Sequence, residues 1–508
     1  MIATRSSTVD DVLRRSATRW PRRTALHFAD RSWTYRELDD AVSRAAAVLL
    51  DLGLAAGDRV ATYGRNSDAY LLAFLGCARA GLVHVPINYA LVGDELAYLL
   101  EQSGSRAVLA DPALAGHVTE TGVGVEHLLP LRDADGSLLA RAVRGEVPAL
   151  DVSVADTDLV QLLYTSGTTS RPKGAMMTHR ALVHEYVSSI LALECHAGDD
   201  PLHPMPLYHS AGMHVFLMPY LAVGATNHLM EAPDVAEVLR RVEADRIGAV
   251  FLAPTVWVPL SQHPDFASRD LSSLRKAFYG ASTMPQPVLQ RLQKALPELG
   301  FYNLFGQSEI GPLATSLGPA EHAERPESCG RSVLFVEVRV VDGEGADVAA
   351  GEIGEVIYRS PQLCAGYWDK PEETAEAFHD GWFHSGDLVR VDAEGYITVV
   401  DRIKDVINTG GVLVASREVE DAIYTHPAVS EVAVIGTPDD RWIEAVTAFV
   451  VVKEPVTAEE LIDHTKGRLA GFKRPKHVHL VDELPRNQSG KLLKRVLRED
   501  LEKGSPPV

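Results

Sequence analysis

Apolar residues recur along this chain at two alternating spacings. Val12 and Leu13, with arginines on the opposite side, make residues 9–20 a surface helix. A second helix runs from Trp33-Thr34-Tyr35 through Leu38, Val42 and Ala45 to Leu50. The turn Gly57-Asp58-Arg59 then leads into a strand at residues 60–63, a helix at 68–80 and a strand at 81–86. A further short strand at Val108-Leu109-Ala110 continues the alternation, so the first third predicts a parallel-sheet α/β layer. Residues 118–156 carry no clear period and are expected to be loop and edge structure. The apolar run at residues 159–164 suits one buried strand, and Leu182, Val183, Tyr186, Val187, Ile190 and Leu191 fall at helical spacing after His179. The stretch between them is therefore expected to join a strand to a helix.

Residues 250–254, 276–282 and 301–305 read as three more buried strands, the last running into Gly306-Gln307-Ser308-Glu309. Ligands of open α/β sheets collect at the carboxyl ends of strands, so these loops are candidates for one shared site. The character changes after Cys329: residues 333–341, 354–359 and 395–400 are β-rich with glycine turns between them. Asp401-Arg402-Ile403-Lys404-Asp405 is a charged interruption. A smaller α+β pattern follows, with helices at 417–424 and 458–469 and strands at 429–436 and 446–452. The expected fold is α/β: a large N-terminal domain of α/β sheets plus a small β unit at about 331–400, then a smaller mobile α+β C-terminal domain.

Composition narrows the function classes. A chain of 508 residues with 46% hydrophobic and 23% charged residues is that of a globular protein with several structural units. Its net charge of −20 argues against general nucleic-acid binding, although local basic loops can still hold an anion. Cys77, Cys195, Cys329 and Cys364 form no CxxC pair, which disfavours a disulfide frame or a zinc site. The first residues, Met1-Ile2-Ala3-Thr4-Arg5, lack the apolar core of a signal peptide, and no apolar run approaches a membrane span. A cytoplasmic location is expected.

The stretch from Tyr164 to Gly174, Tyr-Thr-Ser-Gly-Thr-Thr-Ser-Arg-Pro-Lys-Gly, carries the most distinctive chemistry. Small hydroxyl residues and glycines offer O–H and backbone N–H donors, and Lys173 adds a positive charge, which together suit a polyphosphate. It is not a Walker loop, since Pro172 stands where the second glycine would be and Lys173 precedes Gly174. Read alone, it is equally a Ser/Thr-rich surface turn.

Four further segments decide between those readings. Phe305-Gly306-Gln307-Ser308-Glu309, Gly381-Trp382-Phe383-His384-Ser385-Gly386-Asp387-Leu388, Asp401–Asp405 and Pro485-Arg486-Asn487-Gln488-Ser489-Gly490-Lys491 follow in that order. With the Tyr164–Gly174 loop they make the chain resemble, over nearly its whole length, the adenylate-forming ligases of the acyl-CoA synthetase type. The resemblance implies an adenylation domain at 1–400, a hinge at 401–404 and a lid domain at 405–508. It also implies ATP, Mg²⁺ and CoA as co-substrates and cofactor. Thr165, Ser166, Gly167, Thr168, Thr169 and Lys173 would hold the β- and γ-phosphates, and Glu309 would bind magnesium. Gly280, Ala281, Ser282, Asn303, Phe305, Gly306, Gln307 and Ser308 would line the adenine. Asp387 would accept from the ribose hydroxyls with Arg402 in support. Lys491 would bridge the substrate carboxylate and the α-phosphate, and Lys404 would be the pivot that brings Gly410 and Gly411 to a pantetheine tunnel. His209 is expected beside the acyl or phosphate site, and Tyr208, Gly212, Met213, Phe278, Gly280, Gly306 and Ile310 around the acyl group.

The chain departs from the family pattern at Ser170, Val412, Leu413 and Ile443, where glycine, an acid, an amide and glycine are usual. The resemblance implies that an amino-acid-activating member would carry an aspartate near Leu207-Tyr208-His209-Ser210 to pair the substrate's ammonium; no acid lies between Met205 and Tyr220, so a neutral apolar acid is expected instead. Small-molecule partners and a dimer are the expected associations. Three other readings stay open: a ligase with one weakened half-reaction, acid activation for a carrier protein, and a nucleotide-binding regulator without catalysis. The joint presence of Glu309, Asp387, Arg402 and Lys491 weighs against the last.

Overall fold

The computed structural model describes residues 7–165, 171–282, 284–410, 412–439, 441–486 and 492–502. The chain forms two compact units. The first contains Met1–Ser166, Pro172–Glu337 and Arg359–Phe383, and the second is built mainly from Val338–Tyr358 and His384–Val508.

The first unit holds two twisted sheets. One runs His127–Pro130, Ser105–Ala110, Arg59–Tyr63, Val83–Ile87, Leu159–Thr165, Lys173–Thr178, and every pairing is parallel except the last. The strand His127–Pro130 is an edge strand inside the stretch that lacked a sequence period. The nine-stranded second sheet has a parallel centre and antiparallel edges. In that centre Lys276–Gly280 lies beside Gly300–Phe305 with both carboxyl ends at the same edge. Helix Asp68–Ala80 is buried along its whole length and packs on helix Tyr35–Leu50; a Cβ on Gly76 would lie 3.2 Å from the Ala45 Cβ. Its first residue, Asp68, keeps its buried carboxylate by accepting from Arg31 at 2.6 and 2.8 Å and from the Trp33 indole at 3.0 Å.

One expectation is corrected here. The strand Leu159–Thr165 is followed by an antiparallel strand, Lys173–Thr178, before the helix His179–Ala192 begins at its Thr178 cap. The hydroxyl-rich stretch thus lies between two paired strands, and the helix N-terminus belongs to Thr178. In that helix Val187 and Leu191 are exposed, while Glu185 and Ser189 occupy the buried face beside Leu182 and Tyr186.

A buried hydrogen-bond chain ties this helix to the first sheet. Tyr186 donates to His214 Nδ1 at 3.0 Å, and His214 Nε2 donates to Gln161 Oε1 at 2.7 Å. Gln161 Nε2 donates to His84 Nδ1 at 2.9 Å, and His84 Nε2 donates to Thr62 Oγ1 at 3.0 Å. Every donor meets an acceptor only when both imidazoles are neutral. Burial agrees, pushing His84 and His214 each down to about 3. Because the folded pKa lies below the unfolded value, the stability this chain supplies is present above about pH 6.5 and lost as pH falls toward 3. Buried Glu185, whose carboxyl is pushed up, opposes part of that loss. We expect thermal melting to fall between pH 8 and 5, with each histidine accounting for about 2 kcal/mol at pH 5. A His214→Asn variant should be less stable at pH 8 and show a shallower pH slope; an unchanged slope would count against the neutral chain.

The second unit carries an antiparallel sheet of Val412–Val414, Ile407–Thr409, Ile443–Val452 and Val429–Asp439, with His477–Leu480 pairing in parallel to Ile443–Val452. Helices Ser416–Tyr424 and Ala458–His464 cover a core of Val419, Ile423, Val434, Val446, Ala448 and Leu461. The same unit includes the ladder from Asp387↔Arg402 to Val391↔Ile397. Among the described residues no helix is long and apolar enough to cross a membrane, and all four cysteines are buried.

Candidate active site

In the first unit, strand geometry gathers most of the residues singled out from the sequence. Thr165 and Lys173 are direct partners across the hairpin. Ser166, Gly167, Thr168, Thr169 and Ser170, between them, lie outside the described residues. The neighbouring strands Lys276–Gly280 and Gly300–Phe305 deliver Gly280-Ala281-Ser282 and Phe305-Gly306-Gln307 to one edge. Glycine is required at Gly280 and Gly306 by contact: a Cβ would approach Leu304 O to 2.3 Å in the first and Pro312 O to 2.0 Å in the second. Asn303 donates its amide to Ser328 O at 2.8 Å, a structural use of a residue expected at the nucleotide.

Glu309 sits in the single turn Ser308–Ile310, only 8% exposed. Tyr367 donates its hydroxyl to Glu309 Oε1 at 3.0 Å, and Cys364 N–H donates to Glu309 O at 2.8 Å. The ammonium of Lys173 lies over the Tyr367 ring, 4.9 Å from its centroid. One phenol thereby contacts a cation at its ring face and a carboxylate at its hydroxyl. Behind Glu309, Gln362 donates to Ile310 O at 3.3 Å, Leu313 O at 3.2 Å and Glu185 Oε2 at 2.5 Å, and Leu313 N–H donates to Glu185 Oε1 at 3.3 Å. Tyr367, Gln362 and Glu185 had not been singled out. Only Glu185 left a trace in the sequence, a carboxylate beside Leu182 and Tyr186 on the buried helix face.

The Tyr208–Gly212 segment meets the same turn, since Ser210 Oγ and Ser308 Oγ are 2.9 Å apart. His209, next to Ser210, is half-buried, its N–H bonded to Pro206 O at 3.2 Å. Residues Ala211–Leu217 form a π-helical turn, a form that recurs at functional sites. A Cβ on Gly212 would come within 2.7 Å of Pro206 O, so this turn packs closely on its entry segment. Met213, Phe278 and Ile310 are fully buried, and the Phe216 ring lies 4.5 Å from Phe251 and 5.1 Å from Phe278. These side chains form an apolar aromatic wall.

The residues present suit magnesium. Hard cations that take substrate phosphates and water as ligands need one or two carboxylates, not a protein cage. Glu309 keeps one oxygen without a hydrogen-bond partner among the described residues, and no cluster of three or more His, Cys, Asp or Glu is found there.

In the second unit, Asp387 is 3% exposed, and Arg402 Nε meets its Oδ1 at 3.1 Å. Around it, Gly386 N–H donates to Glu355 Oε1 at 2.8 Å, Ser385 Oγ to Val356 O at 2.5 Å and Asp387 N–H to Ser385 Oγ at 3.0 Å. Lys404 is exposed in the turn Ile403–Asp405, and Gly410 adopts φ +63°. Gly411 and Lys491 lie outside the described residues. Beyond Lys491, Lys494 Nζ contacts Glu420 at 2.8 Å and Arg498 contacts Asp405 at 2.9 Å.

Comparison with known proteins bears on this arrangement. The AMP-binding enzyme family model matches residues 13–368, and the AMP-binding enzyme C-terminal domain model matches residues 418–491. A feruloyl-CoA synthase of Amycolatopsis sp is 38% identical over 487 residues, covering 95% of this chain and 97% of the relative. A long-chain-fatty-acid–CoA ligase of Mycobacterium tuberculosis is 34% identical over 508 residues, covering 96% and 97%. The crystal structure of ATP-bound MatB from Rhodopseudomonas palustris superposes with a TM-score of 0.90 at 30% identity, covering 98% of this chain and 99% of that one. The chain belongs to the AMP-binding enzyme family, among its adenylate-forming acyl-CoA synthetases.

Proposed function

We propose that this enzyme joins an apolar carboxylic acid to CoA in two steps. The acid's carboxylate oxygen attacks the α-phosphorus of ATP, forming acyl-AMP and expelling pyrophosphate. The CoA thiolate then attacks the acyl carbon, forming the thioester and expelling AMP. The observation that carries the reading is Tyr367, whose ring faces the Lys173 ammonium and whose hydroxyl donates to the Glu309 carboxylate. The first step crowds anions, so its catalysis is charge neutralisation and positioning. Lys173, with Thr165, Ser166, Gly167, Thr168 and Thr169, receives the departing pyrophosphate. Glu309 would hold magnesium, which when bound neutralises phosphate charge. Asp387 and Arg402 take the ribose, Phe305 and Gly280 the adenine, and Lys491 the α-phosphate and carboxylate.

Met213, Phe278 and Ile310, with no acid between Met205 and Tyr220, support an uncharged acyl tail. Residues 1–400 would act as the adenylation domain, 401–404 as the hinge and 405–508 as the lid, in a cytoplasmic dimer with no nucleic-acid partner. Acid-dependent ATP–pyrophosphate exchange over a panel of aryl, alkyl, amino and dicarboxylic acids tests the substrate class. Exchange is expected with aryl or alkyl acids, and preference for an amino acid or a second carboxylate would overturn the apolar assignment.

One observation favours a second reading. Ile443 adopts φ +65°, a conformation that costs a β-branched residue about 1–3 kcal/mol, and it is 58% exposed near exposed Val412 and Leu413. These residues stand where the family uses glycine, an acid and an amide at the pantetheine tunnel. A carrier protein as acceptor, or a weakened thioester step, would follow. Thioester formation from prepared acyl-AMP, with CoA and with a carrier protein in parallel, separates the two.

A further inference from the structure

Tyr367 contacts both Lys173 and Glu309 but enters neither bond-making step of the reaction scheme. It is 7% exposed, and its backbone is locked to the strand that carries Lys173. Residues Ala175 and Tyr367 form an antiparallel bridge, Trp368 N–H donates to Gly174 O at 2.8 Å, and Met176 and residues 365–366 exchange two bonds of 2.9 Å. Cys364 N–H fixes the backbone of Glu309 from the same segment. One short stretch of chain thus sets the spacing between Lys173 and Glu309.

The side chain uses that spacing in a particular way. Left facing each other in a poorly solvated site, an ammonium and a carboxylate pair directly, and each is then lost to its ligand. Among the described residues no ion pair joins Lys173 to Glu309; the phenol meets the ammonium with its ring face and the carboxylate with its hydroxyl. Its ring face attracts the ammonium without accepting a proton or covering its donors. Its hydroxyl satisfies one Glu309 oxygen and leaves the other.

We propose that Tyr367 is the positioning residue of the adenylation step: it keeps Lys173 and Glu309 from neutralising each other, reserving the ammonium for phosphate and one carboxylate oxygen for a divalent cation. This rests on the acyl-CoA synthetase reading above. Two variants of the full chain separate the halves of the device. Tyr367→Phe keeps the ring and removes the hydroxyl, and Tyr367→Leu removes both. ATP binding by calorimetry, with Mg²⁺ titrated from zero, reads them out alongside the Mg²⁺ dependence of ATP–pyrophosphate exchange.

For Tyr367→Phe we expect metal-free ATP affinity to be unchanged, the Mg²⁺ concentration at half-saturation to rise about tenfold, and the KM for the acid to stay constant. For Tyr367→Leu we expect the same metal shift together with a loss of metal-free ATP affinity of about fivefold. Lower melting temperatures with an unaltered Mg²⁺ requirement in Tyr367→Phe would overturn the inference, leaving a merely structural tyrosine. A wild-type chain showing no Mg²⁺-dependent ATP binding would overturn the adenylation reading itself, and this inference with it.

Discussion

Replacing Lys491 with alanine is expected to lower acid-dependent ATP–pyrophosphate exchange by about 10³-fold while leaving thioester formation from prepared acyl-AMP close to wild type. Adenylation drives a carboxylate against a phosphate, and negative charge at the reacting oxygens peaks in the transition state. A single ammonium placed on both groups is worth about 3–4 kcal/mol there, an amount comparable to other preorganised donors in dry sites. The second step begins with the carboxylate already joined to the α-phosphorus as a mixed anhydride, so the carboxylate charge that the lysine answers has gone. Neighbouring cations offer no substitute. Lys494 is held by Glu420 and by Ser416 at 2.5 Å, Arg498 by Asp405, and Arg495 contacts Glu499 at 3.6 Å. Released from Glu420, Lys494 would strand a carboxylate that is 19% exposed. Equal loss of both half-reactions in Lys491→Ala would refute the assigned role. Wild-type chain with no exchange for any acid, but active on acyl-AMP, would select the divided-reaction alternative.

What could be read from the chain before its structure depended on how locally the information was written. Strands such as Leu159–Thr165 and Gly300–Phe305, and the long helices Tyr35–Leu50 and Asp68–Ala80, announce themselves by apolar period. The site segments were legible for another reason: glycines and acids at fixed short spacing, such as Gly306 and Glu309 or Gly386 and Asp387, have few bland explanations when several occur in order. The strand Lys173–Thr178 was missed because Gly174 and Ala175 are poor strand formers and its buried positions do not alternate. Pairing with Leu159–Thr165 on one side and with residues 365–368 on the other makes it a strand. Tyr367 was invisible for a deeper reason. Its partners Lys173 and Glu309 lie far away along the chain, and nothing in Cys364-Ala365-Gly366-Tyr367-Trp368 encodes a spacing toward either. The same holds for His84, Gln161 and His214, ordinary polar residues until the fold sets them in line.

Asp387→Asn is expected to lower kcat/KM for ATP by about 10²-fold, chiefly through a higher KM, with little change in melting temperature. Two hydrogen bonds from ribose hydroxyls to a carboxylate are each worth about 1.5–3 kcal/mol, and an amide offers one acceptor in place of two charged ones. The local fold should survive. The bonds of Ser385, Gly386 and the Asp387 N–H run to Val356, Glu355 and Ser385 without using the carboxylate. Arg402, whose side chain is 31% exposed, loses a partner at 3.1 Å but keeps access to water, so no buried charge is stranded. Nucleotide analogues separate ribose recognition from a structural effect. The wild-type enzyme should discriminate against 2′-deoxy-ATP, whereas Asp387→Asn should treat ATP and 2′-deoxy-ATP nearly alike, because the group that reads the missing hydroxyl is already gone. If the variant lost activity but kept the full preference for ATP, the carboxylate would be supporting the strand and not the ribose. Arg402 would then be the residue to test next, since its Nε is oriented by the same oxygen that the ribose would claim.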